Sequence, residues 1–125
     1  MEVLQKLRWA IWGAYVVVWT VLLVSPMPER VSWPVPIEGE HRYLIGKTTH
    51  IVAYLLLAVL TGWIRARFTW RLWLLFFVMA HASATEWLQQ HTDLGRTGQV
   101  GDIVLDHIGI ALGLVVSWKW WTKEP

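Results

Sequence analysis

The chain has 125 residues, 55% of them hydrophobic and only 16% charged, where a soluble domain averages about 25% charged. Four membrane crossings of about 20 residues each would consume most of that length, which excludes a water-soluble enzyme with an appended anchor. A formal charge of +2 is too small to argue for nucleic acid as a partner, and the lack of cysteine removes disulfides, thiolate nucleophiles and thiolate metal sites.

The first apolar run, Trp9 to Ser25, is preceded by Lys6 and Arg8 and followed by Pro26 and Pro28. It offers no small-x-small cleavage site and reads as a retained first span, about 9–25. Residues 26–43 hold four of the five prolines together with Glu29, Arg30, Glu38, Glu40 and Arg42, the pattern of an extended loop that could rest on the membrane surface through Trp33 and Tyr43. A second span, about 44–64, is apolar apart from the Lys47-Thr48-Thr49-His50 stretch and Thr61, and ends at Arg65 and Arg67. The third, about 70–91, turns polar in its last third at Glu86, Gln89 and Gln90. Three glycines mark residues 93–101 as a loop, and the fourth span covers about 103–118 ahead of a Trp-rich tail. Eleven Trp against three Phe support the membrane reading, because the indole ring is apolar while its N–H stays wet at headgroup level. The fold expected is therefore an all-α polytopic bundle of four transmembrane helices in a single domain, 1–125.

Orientation follows from the cations, which resist translocation. Lys6, Arg8, Arg65, Arg67, Arg71, Lys119 and Lys123 make seven of the eleven Lys and Arg residues and fall on one side of this topology. Both termini are thus expected in the cytoplasm of a bacterial inner membrane protein, with Arg30, Arg42, Lys47 and Arg96 on the outer side.

This topology gathers the polar residues at the outer ends of three spans. At 100° per residue, Lys47, His50 and Tyr54 share an arc of about 60°, and Glu86, Gln89 and Gln90 one of about 100°. Asp102, Asp106, Gly109 and Gly113 fall within about 60°, so the acids continue into a G-x-x-x-G strip that allows close helix approach. A charge at mid-span costs about 2.5–3.5 kcal/mol on the insertion scale, which favours inward pairing and a shared, partly hydrated polar cluster. The plainer alternative is that Lys47 and Asp102 snorkel to water from helix ends. His81 and His107 lie about 140° from the polar faces and are assigned to packing; His41 and His91 are assigned to solvent. The Trp12, Tyr15 and Trp19 stripe reads as a lipid or helix contact.

The ordered set Gly46-Lys47-Thr48-Thr49-His50, Ala53-Tyr54, Glu86-x-x-Gln89, Gly95-Arg96 and Asp102-x-x-x-Asp106-x-x-Gly109 resembles the pattern of the VanZ-like family of small bacterial membrane proteins. The Ser25-Pro26 end of the first span is also similar. The family is named for a protein associated with teicoplanin resistance, and the resemblance implies an envelope role without supplying a reaction. Carried over by position, the family's recurring polar residues are Lys47, His50, Glu86, Gln89, Arg96, Asp102 and Asp106, with Gly109 as the small residue. Gly46 stands where many members have Asp, one extra residue separates Gln89 from Arg96, and Asp106 stands where Asn is common. A carboxylate at 106, beside Asp102 and Glu86, must pair with Lys47, Arg96 or His50, bind a cation, or hold a proton.

Three functions are compatible with these residues. In the first, the polar cluster, including Tyr54, binds a lipid-linked cell-wall intermediate, an anionic lipid or a lipoglycopeptide, with Lys47 and Arg96 meeting phosphate or carboxylate. In the second, a membrane-embedded enzyme uses His50 with Glu86 or Asp106 as base and orienting partner, or with Asp102 as an oxygen-rich divalent site. In the third, the Gly109 and Gly113 face docks a partner or a second copy, giving a scaffold or proton-linked helper. Whether the protein is an enzyme stays open at this point. Membrane lipids are the expected partners, no cofactor is implied and no metal centre is assigned.

Overall fold

The computed structural model describes residues 1–25, 39–92 and 100–123, and in them the chain forms five helices and no strand. They are α1 (Glu2–Val24), α2 (Gly39–Trp63), α3 (Phe68–His91), α4 (Val100–Val116) and the short α5 (Trp118–Trp121). Helix α1 extends well beyond the apolar run, because Glu2 to Arg8 continue the helix outside the apolar stretch. It stops at Ser25, which is extended ahead of a proline that disfavours helical backbone at the preceding residue. Helix α2 starts at Gly39, so the last five positions of the expected proline loop are helical; the rest of that loop, with Trp33, lies outside the described residues. Likewise Val100 and Gly101 already belong to α4, while residues 93–99, Arg96 among them, lie outside the described residues. The chain breaks between α4 and α5 at Ser117, whose hydroxyl donates to the Gly113 carbonyl at 2.6 Å.

Two helices, Glu2–Val24 and the Leu44–Trp63 part of α2, are long and apolar enough to cross a membrane. The other two long helices are less apolar or shorter: α3 carries Arg71, His81, Glu86 and Gln89, and α4 has 17 residues. Exposure is inverted relative to a protein in water. Val17, Trp73, Phe76, Val115 and Trp118 are exposed, whereas Arg71, Glu86, Gln89, Asp102 and Asp106 are buried. Lipid as solvent selects this arrangement, since an acid facing hydrocarbon is costly and a valine facing it is not.

Helices α2 and α4 form the most intimate pair. Gly109 and Gly113 place the α4 backbone directly on the Ile51 and Leu55 carbonyls of α2, where no β-carbon would fit. The G-x-x-x-G strip is thus occupied within the chain, which removes it as a docking face for a second copy. The apolar core comprises Tyr54, Leu57, Ala58, Val78, Ala82 and Ile110 from α2, α3 and α4, and α1 closes one side with Trp12, Tyr15, Val16 and Trp19. The Trp12, Tyr15 and Trp19 stripe is a helix contact: Trp12 Nε1 donates to Thr61 Oγ1 and the Tyr15 hydroxyl to the Ala53 carbonyl, both at 2.9 Å.

At one end of the bundle Arg8, Arg65, Arg71 and Lys123 surround a common hollow with Trp63 and Trp120. Arg8 donates to the Trp63 carbonyl at 3.0 Å and lies 4.9 Å from the centroid of its ring. Arg71, buried at 2% exposure, donates through Nη1 to the carbonyls of Trp120 and Trp121, at 2.5 and 2.8 Å. The acids lie toward the other end.

Candidate functional site

The site is built from short stretches of three helices. Midway along α2, positions 47, 50 and 54 project from one face because they are spaced three and four apart; α3 contributes Glu86 near its end, and α4 contributes Asp102 and Asp106 from its first two turns. The close α2 and α4 contact through Gly109 brings the two polar faces into register. Lys47 Nζ forms an ion pair with Asp102 Oδ1. His50 Nδ1 lies 2.8 Å from Asp106 Oδ1 and 3.8 Å from Glu86 Oε1. Glu86 and Asp106 are both fully buried, at 0% exposure. Neither snorkels. Lys47 and Asp102 are also drawn into the bundle, with side-chain exposures of 20% and 10%.

Not every expected member joins this centre. Tyr54 turns toward α3, where its hydroxyl lies 3.0 Å from His81 Nδ1 and 3.3 Å from Thr85 Oγ1. Gln89 Nε2 donates to the Leu23 carbonyl at 2.8 Å and so ties the end of α3 to the end of α1. Arg96 lies outside the described residues.

His81 corrects a sequence expectation. Rather than merely filling space, its ring links three helices, with Nε2 at 2.7 Å from Thr20 Oγ1 and Nδ1 facing Tyr54. The helical wheel missed it because the partners sit on α1 and α2, and an angular offset within α3 carries no information about them. His107 bonds within its own helix, Nδ1 to the Ile103 carbonyl at 2.7 Å, and His91 is exposed and stacked on Trp87 at 4.5 Å. His41 is exposed.

Beside the centre, Trp19 presents its ring edge-on to His50, with centroids 6.5 Å apart. The same indole forms one wall of a groove of about 500 Å³ between α1 and α2, lined by Tyr15, Leu44, Ile45, Val52 and Leu56, with Thr48 and Thr49 as its main polar contributors. A polar centre and an apolar groove therefore share one wall.

Chemically, the centre combines an imidazole with two buried carboxylates, whose ligand atoms all lie within 4.8 Å of one another. A carboxylate on Nδ1 fixes the orientation of a histidine ring and leaves Nε2 as the other reactive nitrogen. The Lys47 and Asp102 pair lies on the same α2 and α4 faces, one turn toward the helix starts.

No curated protein and no solved structure matches this chain. A family model described as VanZ/LLP1 matches residues 11–121, a stretch that includes the core of all four long helices and every residue of the centre. With that match over most of its length, and with acids buried inside apolar helices, the chain is a membrane protein of the VanZ/LLP1 family.

Proposed function

We propose that this protein is a four-span inner-membrane member of its family, both termini cytoplasmic, that holds a lipid-linked cell-envelope ligand between its polar centre and the α1–α2 groove. The observation that carries this reading is the shared Trp19 wall: an amphiphile with a polar head and a long apolar tail matches a polar centre joined to an apolar groove. The collection of Arg8, Arg65, Arg71 and Lys123 at the opposite end supports the orientation, since cations concentrate on the cytoplasmic side. Lys47 would meet an anionic head, as would Arg96 on the family pattern, and the tail would lie along Val52 and Leu56. A role in glycopeptide resistance would follow from capture of a cell-wall intermediate or of a lipoglycopeptide.

A photoreactive polyprenyl phosphate, added to the purified protein in detergent, tests the ligand class. Labelling is expected on α1 and α2 around Trp19 and Val52, and is expected to fall in Lys47→Ala and in Val52→Trp, which fills the groove. Labelling spread evenly over the lipid-facing surface, unchanged in both variants, would overturn the reading.

A second reading, turnover of that same ligand, is favoured by the 2.8 Å contact between His50 and Asp106, which presents an oriented imidazole as a general base. Product from a labelled polyprenyl-linked substrate, lost in His50→Ala and Glu86→Gln, would establish it. Retained turnover in both would reject these residues as its machinery.

A further inference from the structure

Two carboxylates of the centre, Glu86 and Asp106, are buried at 0% exposure, with the His50 ring against both. Buried charge in a medium of low dielectric is expensive unless it is neutralised at close range. Moreover, Asp106 Oδ2 is buried and makes no hydrogen bond among the described residues, although Oδ1 of the same carboxylate faces His50 at 2.8 Å. A carboxylate oxygen in that position is buried with a lone pair that no donor among the described residues receives.

We infer that His50, Glu86 and Asp106 form a binding site for one divalent transition-metal ion, with Zn²⁺ and Mn²⁺ as the best matches. The geometry agrees. Ligand atoms around a single ion, at bond lengths of about 2.0–2.2 Å, lie about 3–3.5 Å from one another. Here Nδ1 is 2.8 Å from Asp106 Oδ1 and 3.8 Å from Glu86 Oε1, and the three candidate ligand atoms all lie within 4.8 Å of one another, so side-chain rotations within the centre bring them to that spacing. Each ligand comes from a different helix, α2, α3 and α4, so the helix contacts that build the core also fix the ligand spacing. His50 would coordinate through the Nδ1 lone pair, its ring proton residing on Nε2, and the bond to Asp106 Oδ1 would give way to shared coordination. One imidazole and two carboxylates suit Zn²⁺ or Mn²⁺ better than Mg²⁺, which favours an all-oxygen shell with several waters. Three protein ligands leave coordination positions open, as in catalytic rather than structural zinc sites. A phosphate oxygen could take one of them; this last step rests on the proposed lipid ligand, whereas metal binding itself does not.

The test uses the full-length protein in detergent, stripped with a chelator and titrated with Mn²⁺, then Zn²⁺ or Co²⁺, with no lipid added. One ion per chain is expected. The affinity should fall by at least about 100-fold in His50→Gln, Glu86→Gln and Asp106→Asn, since each removes a direct ligand where even outer-shell losses cost about 10- to 100-fold. Pulsed electron paramagnetic resonance on the unmodified Mn²⁺ protein should reveal coupling to one imidazole nitrogen, a readout that needs no substitution and survives any variant that misfolds. Absence of stoichiometric binding at millimolar metal, or binding without nitrogen coupling, would overturn the inference. Metal binding with nitrogen coupling but no metal-dependent gain in polyprenyl phosphate labelling would retain the site and reject the lipid ligand as its purpose.

Discussion

Gly109 on α4 lies so close to the Ile51 carbonyl on α2 that a methyl group at position 109 would overlap it, and Gly113 stands in the same relation to Leu55 one turn further along. In lipid, where burying apolar surface against another helix gains little, such close backbone approach is a main source of helix association. It also holds His50 and Asp106 within bonding distance, since Asp106 lies about one turn before Gly109 on α4 and His50 directly precedes Ile51 on α2.

Gly109→Val is therefore expected to destabilise the protein by about 1–3 kcal/mol or more, the range for overpacking a well-fitted contact. Gly13, with nothing within 4 Å of an added β-carbon, supplies the control: Gly13→Ala is expected to be neutral or to stabilise by up to about 1 kcal/mol. Unfolding in graded denaturing detergent measures both. Equal effects at the two positions would refute the close-approach account.

The Lys47 and Asp102 pair makes a prediction by exchange. Either Lys47→Asp or Asp102→Lys alone places two like charges at a largely buried position and is expected to cost about 2–4 kcal/mol, somewhat less than for a fully buried pair because part of Lys47 reaches solvent. The double exchange should recover at least half of the summed loss in a double-mutant cycle. Strict additivity would show that the two side chains do not interact in the folded protein.

Arg71 clamps the end of the chain through the Trp120 and Trp121 carbonyls, which a helix terminus cannot satisfy internally. Arg71→Ala should cost about 1.5–3 kcal/mol, the range for hydrogen bonds to a charged group, and should speed amide exchange selectively in residues 117–123. Trp121 emission should shift to the red as its ring, now 3% exposed, opens to water. Unchanged exchange in that segment would remove the clamp.

The Thr20, His81 and Tyr54 chain spans α1, α3 and α2. Tyr54→Phe deletes one hydroxyl and should cost about 1–2 kcal/mol, because His81 Nδ1 then loses a partner in a water-poor setting. His81→Phe removes both bonds of the ring and should cost more. Adding Tyr54→Phe to His81→Phe should cost little further, the sign of a shared network. A fully additive pair would mean that the two side chains act separately.

The polar centre was legible in part because helical periodicity is a local property. Lys47 and His50 on one face, Asp102 and Asp106 on another, and Glu86 in the polar third of α3 follow from spacing alone, and the cost of charge in lipid predicts that such faces turn inward. Spacing could not say which acid meets which base. The pairing of Lys47 with Asp102, and of His50 with Asp106 and Glu86, depends on the axial offset of α2 against α4, set by Gly109 and Gly113. Tyr54 shared the face of Lys47 and His50 yet bonds to His81, because the third helix, and not the wheel, determines what lies opposite it.

By itself, the sequence determined that this chain is helical, apolar outside and polar at one end of its interior, and that its ordered motifs are those of the VanZ-like family. Tertiary structure alone decided that Gln89 braces α1, that Arg71 holds the C-terminal turn, that the G-x-x-x-G strip is filled by α2, and that one imidazole and two carboxylates converge within a few ångströms. The physical reason is range: periodicity and composition act along one helix, whereas contact partners depend on the rotation and offset of each helix against the others, which packing at a few small residues fixes.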